Sequence, residues 1–222
     1  MKNDHDRLKT ASRLKNWIAC NYTTVNEINN KGLKKKDHST TETIRKKRGD
    51  EFEAKIYKKL IQAAEGTTYI NVRTRVVLCI LAVTGIRINE LLPLKVNQLQ
   101  TLIEENWIAI DRSKRGPSNH KAFLTKEGKK IIHDRQKDFQ LIFLIKEPDS
   151  YVFTAEANHS KQLDRVAITR DVNKVMREVS NQLPGKPNIT SHSFRIGYIT
   201  QLWKDSKDIE FVKQTMGHQN LD

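Results

Sequence analysis

Three short segments of this chain each pair a cation with a turn or the start of a helix. The first is Thr84-Gly85-Ile86-Arg87-Ile88-Asn89-Glu90-Leu91. Gly85 lets the backbone turn sharply, and Arg87 and Glu90 sit at i,i+3 on one helical face. Glu90 can then hold the guanidinium while its remaining donors grip a phosphate. A surface salt bridge explains the bare pattern almost as well. The second segment, Thr190-Ser191-His192-Ser193-Phe194-Arg195, again sets two such groups at i,i+3. They fall in a helix's first turn, where unpaired N–H groups and the dipole favour an anion. His192 titrates near neutrality and can exchange protons there, although a histidine so placed more often caps or packs. The third, Met216-Gly217-His218, puts a histidine just past a helix C-cap and by itself says nothing.

The elements that must position these residues follow from apolar spacing and punctuation. Phe52, Ile56, Leu60 and Ile61 form a helical stripe ended by Gly66. Val72 to Val83 is apolar almost throughout and too long for a strand, which predicts a buried helix closed at Thr84-Gly85. Ile88, Leu91 and Leu92 predict a short helix broken by Pro93. Trp107–Ile110 and Lys121–Leu124 read as two strands around the turn Arg115-Gly116-Pro117-Ser118-Asn119, a hairpin. Thr125 caps a helix carrying Ile131, Ile132, Arg135 and Phe139. Tyr151-Val152-Phe153 follows as a third short strand.

Thr169 is expected to cap a helix with Val172, Val175, Met176 and Val179, ended by Pro184-Gly185. Thr190 or Ser191 caps the next, with Phe194, Tyr198 and Leu202. Ser206 opens the last, closed by Gly217 as the left-handed cap residue. The fold class is therefore mainly α with a small antiparallel β-sheet.

Charge points to the partner. The 222 residues carry 40 Lys+Arg against 26 Asp+Glu, a net charge of +14 and a pI near 9.8. Such an excess is the footprint of a nucleic-acid binder, because cations displace counterions condensed on the phosphate backbone. About half of it lies in residues 1–50, with 13 Lys+Arg against 6 Asp+Glu. Lys34-Lys35-Lys36 and Arg45-Lys46-Lys47-Arg48 read there as an arm, after one amphipathic helix through Leu8, Ala11, Leu14, Trp17 and Ile18. Cys20 and Cys79 are too few for a disulfide framework or a zinc site, and Cys79 reads as a small core residue. No apolar stretch is long enough to cross a bilayer.

Taken together and in order, the segments resemble the signature of the tyrosine recombinases, the phage-integrase-like enzymes. That family shows Thr-Gly-x-Arg-x-x-Glu-Leu, a lysine on a β-hairpin, His-x-x-Arg and a Gly-His pair. Arg87 with Glu90, His192, Arg195 and His218 match, and the resemblance covers roughly residues 50–222. It implies the catalytic-domain fold of DNA breaking-rejoining enzymes for that stretch, with residues 1–49 a basic helix and arm rather than a complete core-binding domain. Lys114, before the turn, stands where the family places its lysine, and Lys121 is the competitor.

The resemblance further implies attack of a tyrosine on a DNA phosphodiester and a 3′-phosphotyrosine intermediate, with no metal and no cofactor. Arg87 and Arg195 would hold the phosphate oxygens, which gain charge in the transition state. Lys114 would protonate the departing 5′-oxygen, His192 would manage the nucleophile's proton and His218 would bond a phosphate oxygen. Double-stranded DNA is the implied partner, bound by a homo-oligomer (a synaptic tetramer), with no membrane involved. The setting would be intracellular: bacterial or phage cytoplasm, or an organelle such as the plastid.

One part of the pattern is missing. The family's tyrosine follows the Gly-His pair, whereas none of the 5 tyrosines here lies after His218. The helix of Tyr198 suggests core packing, so no residue is assigned as nucleophile. The expectation is DNA binding with phosphate-activating residues in place and no cleavage by this chain alone. The alternative is a non-catalytic DNA-binding remnant or regulator. An RNA-binding or structural protein would instead scatter these side chains over the fold.

Overall fold

A computed structural model describes residues 55–112, 117–144 and 146–217. The basic N-terminal helix and arm, Lys114, the first half of the hairpin turn and His218 lie outside these residues.

Helix α1 covers residues 55–63, and α2, Tyr69–Thr84, is the axis of the domain. Val76, Val77, Leu78, Cys79, Ile80 and Leu81 are all fully buried. Consecutive burial of this kind means that every side of the helix is covered, which the unbroken apolar run requires. Helices α5 (Lys126–Asp134), α6 (Gln136–Phe143), α7 (Arg165–Gln182) and α8 (Ser191–Ser206) all pack on it. The short α3 (Ile88–Leu91) and α4 (Val96–Glu105) lie between α2 and the first hairpin. That hairpin pairs β1 (Trp107–Ile110) with β2 (His120–Phe123) in the register Ile108↔Ala122 and Ile110↔His120.

The last helix, α9 (Ile209–Met216), packs on α8 and β2. Tyr198, Ile199, Leu202, Val212 and Met216 make a small separate core there, with Trp203 and Phe211 against it. The Phe123 and Phe211 rings, 6.0 Å apart, tie the hairpin to α9.

Four local expectations change. The strand at Tyr151–Phe153 is displaced: Tyr151 makes a single bridge to Lys95, and the strand is β3 (Thr154–Ala155) in a second hairpin with β4 (Asn158–Gln162). Val152 and Phe153 are buried all the same, so their apolarity reported the core rather than a ladder. The N-cap of α7 is Asp164, which leaves Thr169 inside the helix. The cap of α9 is Asp208, whose carboxylate accepts from the N–H of Glu210 (2.9 Å) and Phe211 (3.1 Å), while Ser206 ends the preceding helix. The helix opened by Thr125 divides at Arg135 into α5 and α6.

Candidate active site

The first cation segment is built by the end of α2. Gly85 caps that helix in the left-handed region (φ +59°) and donates its N–H to Leu81. The chain then reverses, and Arg87 sits extended as the N-cap of α3. Glu90, fully buried at its side chain, grips Arg87 twice. Its Oε2 accepts the Arg87 backbone N–H at 2.9 Å and its Oε1 accepts Nη1 at 2.7 Å. The Arg87 side chain stays 38% exposed.

The second segment comes from α8. Thr190 is the N-cap and donates its N–H to Ser193 Oγ at 3.1 Å. His192 is exposed in the first turn, one turn before the buried Arg195. Arg195 Nη1 donates to the Gly85 carbonyl at 2.7 Å and Nη2 to the Met216 carbonyl at 3.4 Å. One guanidinium thus touches both the turn that carries Arg87 and the end of the helix that precedes Gly217-His218. Burial, then the positive charges of Arg87 and Arg112, pull Arg195 down to about 10. It is still cationic at neutral pH, close enough to feel the charges of two further guanidinium groups.

Two participants were not singled out from the sequence. Arg112 is buried and donates Nη1 to Glu90 Oε2 at 3.3 Å and Nη2 to the Thr215 carbonyl at 2.6 Å. Burial lowers its pKa, and Glu90 opposes the shift. His120 Nε2 lies 3.0 Å from the same Thr215 carbonyl. The signal for Arg112 was present: Ile108 and Ile110 alternate along β1, Arg112 continues the same spacing just past its end, and all three are buried. Tyr198 is buried and donates its hydroxyl to the Phe123 carbonyl at 2.6 Å. Burial raises its pKa well above the usual phenol range, which keeps it a neutral packing residue.

Arg87, Glu90 and Arg195 are therefore brought together, with His192 one turn from Arg195. Among the described residues the competing hairpin lysine, Lys121, lies with its ammonium over the Trp107 ring, 4.1 Å from the centroid.

A helical domain with this pair of hairpins has the tyrosine-recombinase catalytic-domain fold. The crystal structure of XerA recombinase matches at a TM-score of 0.55 and 22% identity, over 75% of this chain and 55% of that one. The chain belongs to the phage integrase family, which it matches over residues 51–222. Tyrosine recombinase XerC of Lactobacillus leichmannii is 25% identical over 152 residues, 68% of this chain and 48% of the relative. Tyrosine recombinase XerH of Campylobacter jejuni is 25% identical over 166 residues, 74% of this chain and 44% of the relative. The chain thus spans about half the length of the curated relatives it matches. No described helix is long and apolar enough to cross a membrane.

Proposed function

We propose that this chain binds duplex DNA and activates a scissile phosphodiester for site-specific strand transfer through a 3′-phosphotyrosine. The observation that carries the reading is the hydrogen bond from Arg195 to the Gly85 carbonyl at 2.7 Å, which seats a second guanidinium beside Arg87. Two planar forks suit the non-bridging oxygens of a phosphorane, where each enclosed donor contributes about 3 kcal/mol to transition-state stabilisation.

In this reading Glu90 keeps Arg87 oriented. Lys114 gives the proton to the departing 5′-oxygen, so that a neutral hydroxyl leaves. His192 takes the proton of the attacking phenol and returns it on religation, and His218 bonds a phosphate oxygen. The names of the relatives support recombination as the reaction class. DNA, held by a homo-oligomer of synaptic type, is the partner.

Within these 222 residues no tyrosine follows His218. Binding and phosphate activation are accordingly the proposal for them, with the nucleophile from a tyrosine-bearing continuation or a neighbouring subunit. The chain, alone and extended with such a continuation, is mixed with nicked suicide duplex DNA, denatured and examined for a covalent adduct. The extended chain is expected to give one and the chain alone none. DNA retention without any adduct from either would leave a non-catalytic DNA-binding regulator.

A further inference from the structure

Arg112 has no role in the mechanism above, yet its side chain is only 1% exposed and is enclosed by groups that do. We infer that Arg112 is a positioning residue for the Arg87–Arg195 pair, closing a ring of hydrogen bonds that fixes the two phosphate-facing forks relative to each other. This rests on the phosphate-binding reading of that pair.

The ring can be walked atom by atom. From the Gly85 carbonyl, Arg195 reaches the Met216 carbonyl with bonds of 2.7 and 3.4 Å. One residue back, the Thr215 carbonyl accepts Arg112 at 2.6 Å. Arg112 reaches Glu90 at 3.3 Å, and Glu90 holds Arg87 at 2.7 Å, two residues from Gly85 again. Four segments are joined: the turn after α2 with α3, the residues just past β1, the first turns of α8 and the end of α9. Arg112 links the first of these to α9 through the Glu90 carboxylate.

Its partners assign Arg112 the positioning role: its Nη1 is spent on Glu90, which holds the 38%-exposed Arg87 side chain, and its Nη2 on the Thr215 carbonyl. The stem of Arg112 also passes so close to Gly217 that a Cβ there would lie 3.1 Å from its Cγ. Gly217, already at φ +67°, therefore gives room to the same side chain that anchors Thr215.

Charge gives the second half of the argument. Glu90 is fully buried at its side chain and bonds Arg87 at 2.7 Å and Arg112 at 3.3 Å. Its charge is shared between these two cations, which leaves Arg87 more positive field for an anion. A lysine at this position has a single ammonium and can reach the carboxylate or the carbonyl, but not both.

The test follows the arginine side-chain Nε–H resonances of the full chain by NMR while inorganic phosphate is added. Signals are assigned with R87K and R195K. In the unmodified chain both signals should follow one common binding curve. In Arg112→Met the affinity should fall about tenfold, the scale of one charge-assisted hydrogen bond, and the two signals should part onto separate curves. In an E90Q background the same change should cost no more than about twofold, since Arg112 acts through Glu90.

Arg112→Lys, which keeps charge and stem, should shift the curves in the same direction by about threefold and keeps the test alive if the methionine variant does not fold. A folded R112M with both signals still on the original curve overturns the inference and leaves the phosphate reading intact. No response of Arg87 or Arg195 to phosphate in the unmodified chain overturns both.

Discussion

Arg195 and Gly85, 110 positions apart, meet through a 2.7 Å hydrogen bond between a guanidinium and a backbone carbonyl. The glycine that ends α2 thereby supplies both the turn that presents Arg87 and the acceptor that seats Arg195. Arg195→Lys keeps the charge but cannot hold the Gly85 and Met216 carbonyls together while offering a planar face to a phosphate. Adduct formation by a tyrosine-bearing version should drop about a hundredfold or more, with duplex affinity within about threefold. A rate within a few-fold of the unmodified chain would remove Arg195 from the site.

The same turn is intolerant of a side chain. At Gly85 φ is +59°, and a Cβ would lie 2.6 Å from Tyr198 Cδ1, closer than real Cβ atoms come. Gly85→Ala combines a left-handed backbone penalty of roughly 1–2 kcal/mol with displacement of a buried ring. A total loss of about 3 kcal/mol in urea unfolding is expected. In a Tyr198→Leu background the further loss should shrink toward the backbone part alone.

Tyr198 offers a check on the nucleophile. Its hydroxyl is buried against the Phe123 carbonyl, and burial holds it protonated far beyond neutral pH. Tyr198→Phe should cost about 1–2 kcal/mol of stability through the orphaned carbonyl, and adduct formation by the extended chain should persist. Loss of the adduct in a variant that is still folded would make Tyr198 part of the chemistry.

How much of this could be read from the sequence depended on where the signal was stored. The buried α2 announced itself because a helix covered on all sides must be apolar on all sides, and Gly85 and Gly217 were legible as caps because left-handed φ is cheap only without a Cβ. The caps Asp164 and Asp208 were missed in favour of Thr169 and Ser206, since Asp, Thr and Ser all cap and only tertiary packing sets which turn comes first. The second hairpin was invisible: β3 is two residues long and β4, Asn158–Gln162, is polar throughout. At the site, the i,i+3 pair of Arg87 and Glu90 could be found by spacing alone. Arg112 could not be weighed the same way, because its partners Glu90 and Thr215 are 22 and 103 residues distant.

A second buried ion pair braces the far side of α2. Arg75 clamps Asp138 of α6 through Nε (3.0 Å) and Nη2 (2.7 Å), with Nη1 on the Ala64 and Gly66 carbonyls at 3.0 and 2.9 Å. Asp138→Asn leaves the guanidinium buried without its counter-ion and should cost about 3–5 kcal/mol. Replacing both, Arg75→Met with Asp138→Leu, should recover only part of that, because the two carbonyls lose their donor. Urea unfolding of the unmodified chain, Arg75→Met, Asp138→Leu and the double variant gives the coupling directly, and additive losses would show the pair to be uncoupled.

Lys146 should give the domain a pH signature. Its ammonium is half-buried and donates to the carbonyls of Val152 (2.7 Å) and Tyr151 (3.1 Å) and to the hydroxyls of Thr154 (2.8 Å) and Tyr69 (3.2 Å). Burial, and then the nearby charge of Arg73, bring it down to about 8 from an ordinary 10.5. Between those two pH values the unfolded chain holds a proton that the folded chain has released. Folding stability owed to this group therefore rises with pH across the window and is flat below it, where both states are charged. The unfolding free energy of the wild type minus that of Lys146→Met isolates the effect from the other lysines and tyrosines. It should climb from pH 8 to 10.5. A difference that stays level would mean that the four surrounding oxygens hold the lysine charged and outweigh its burial.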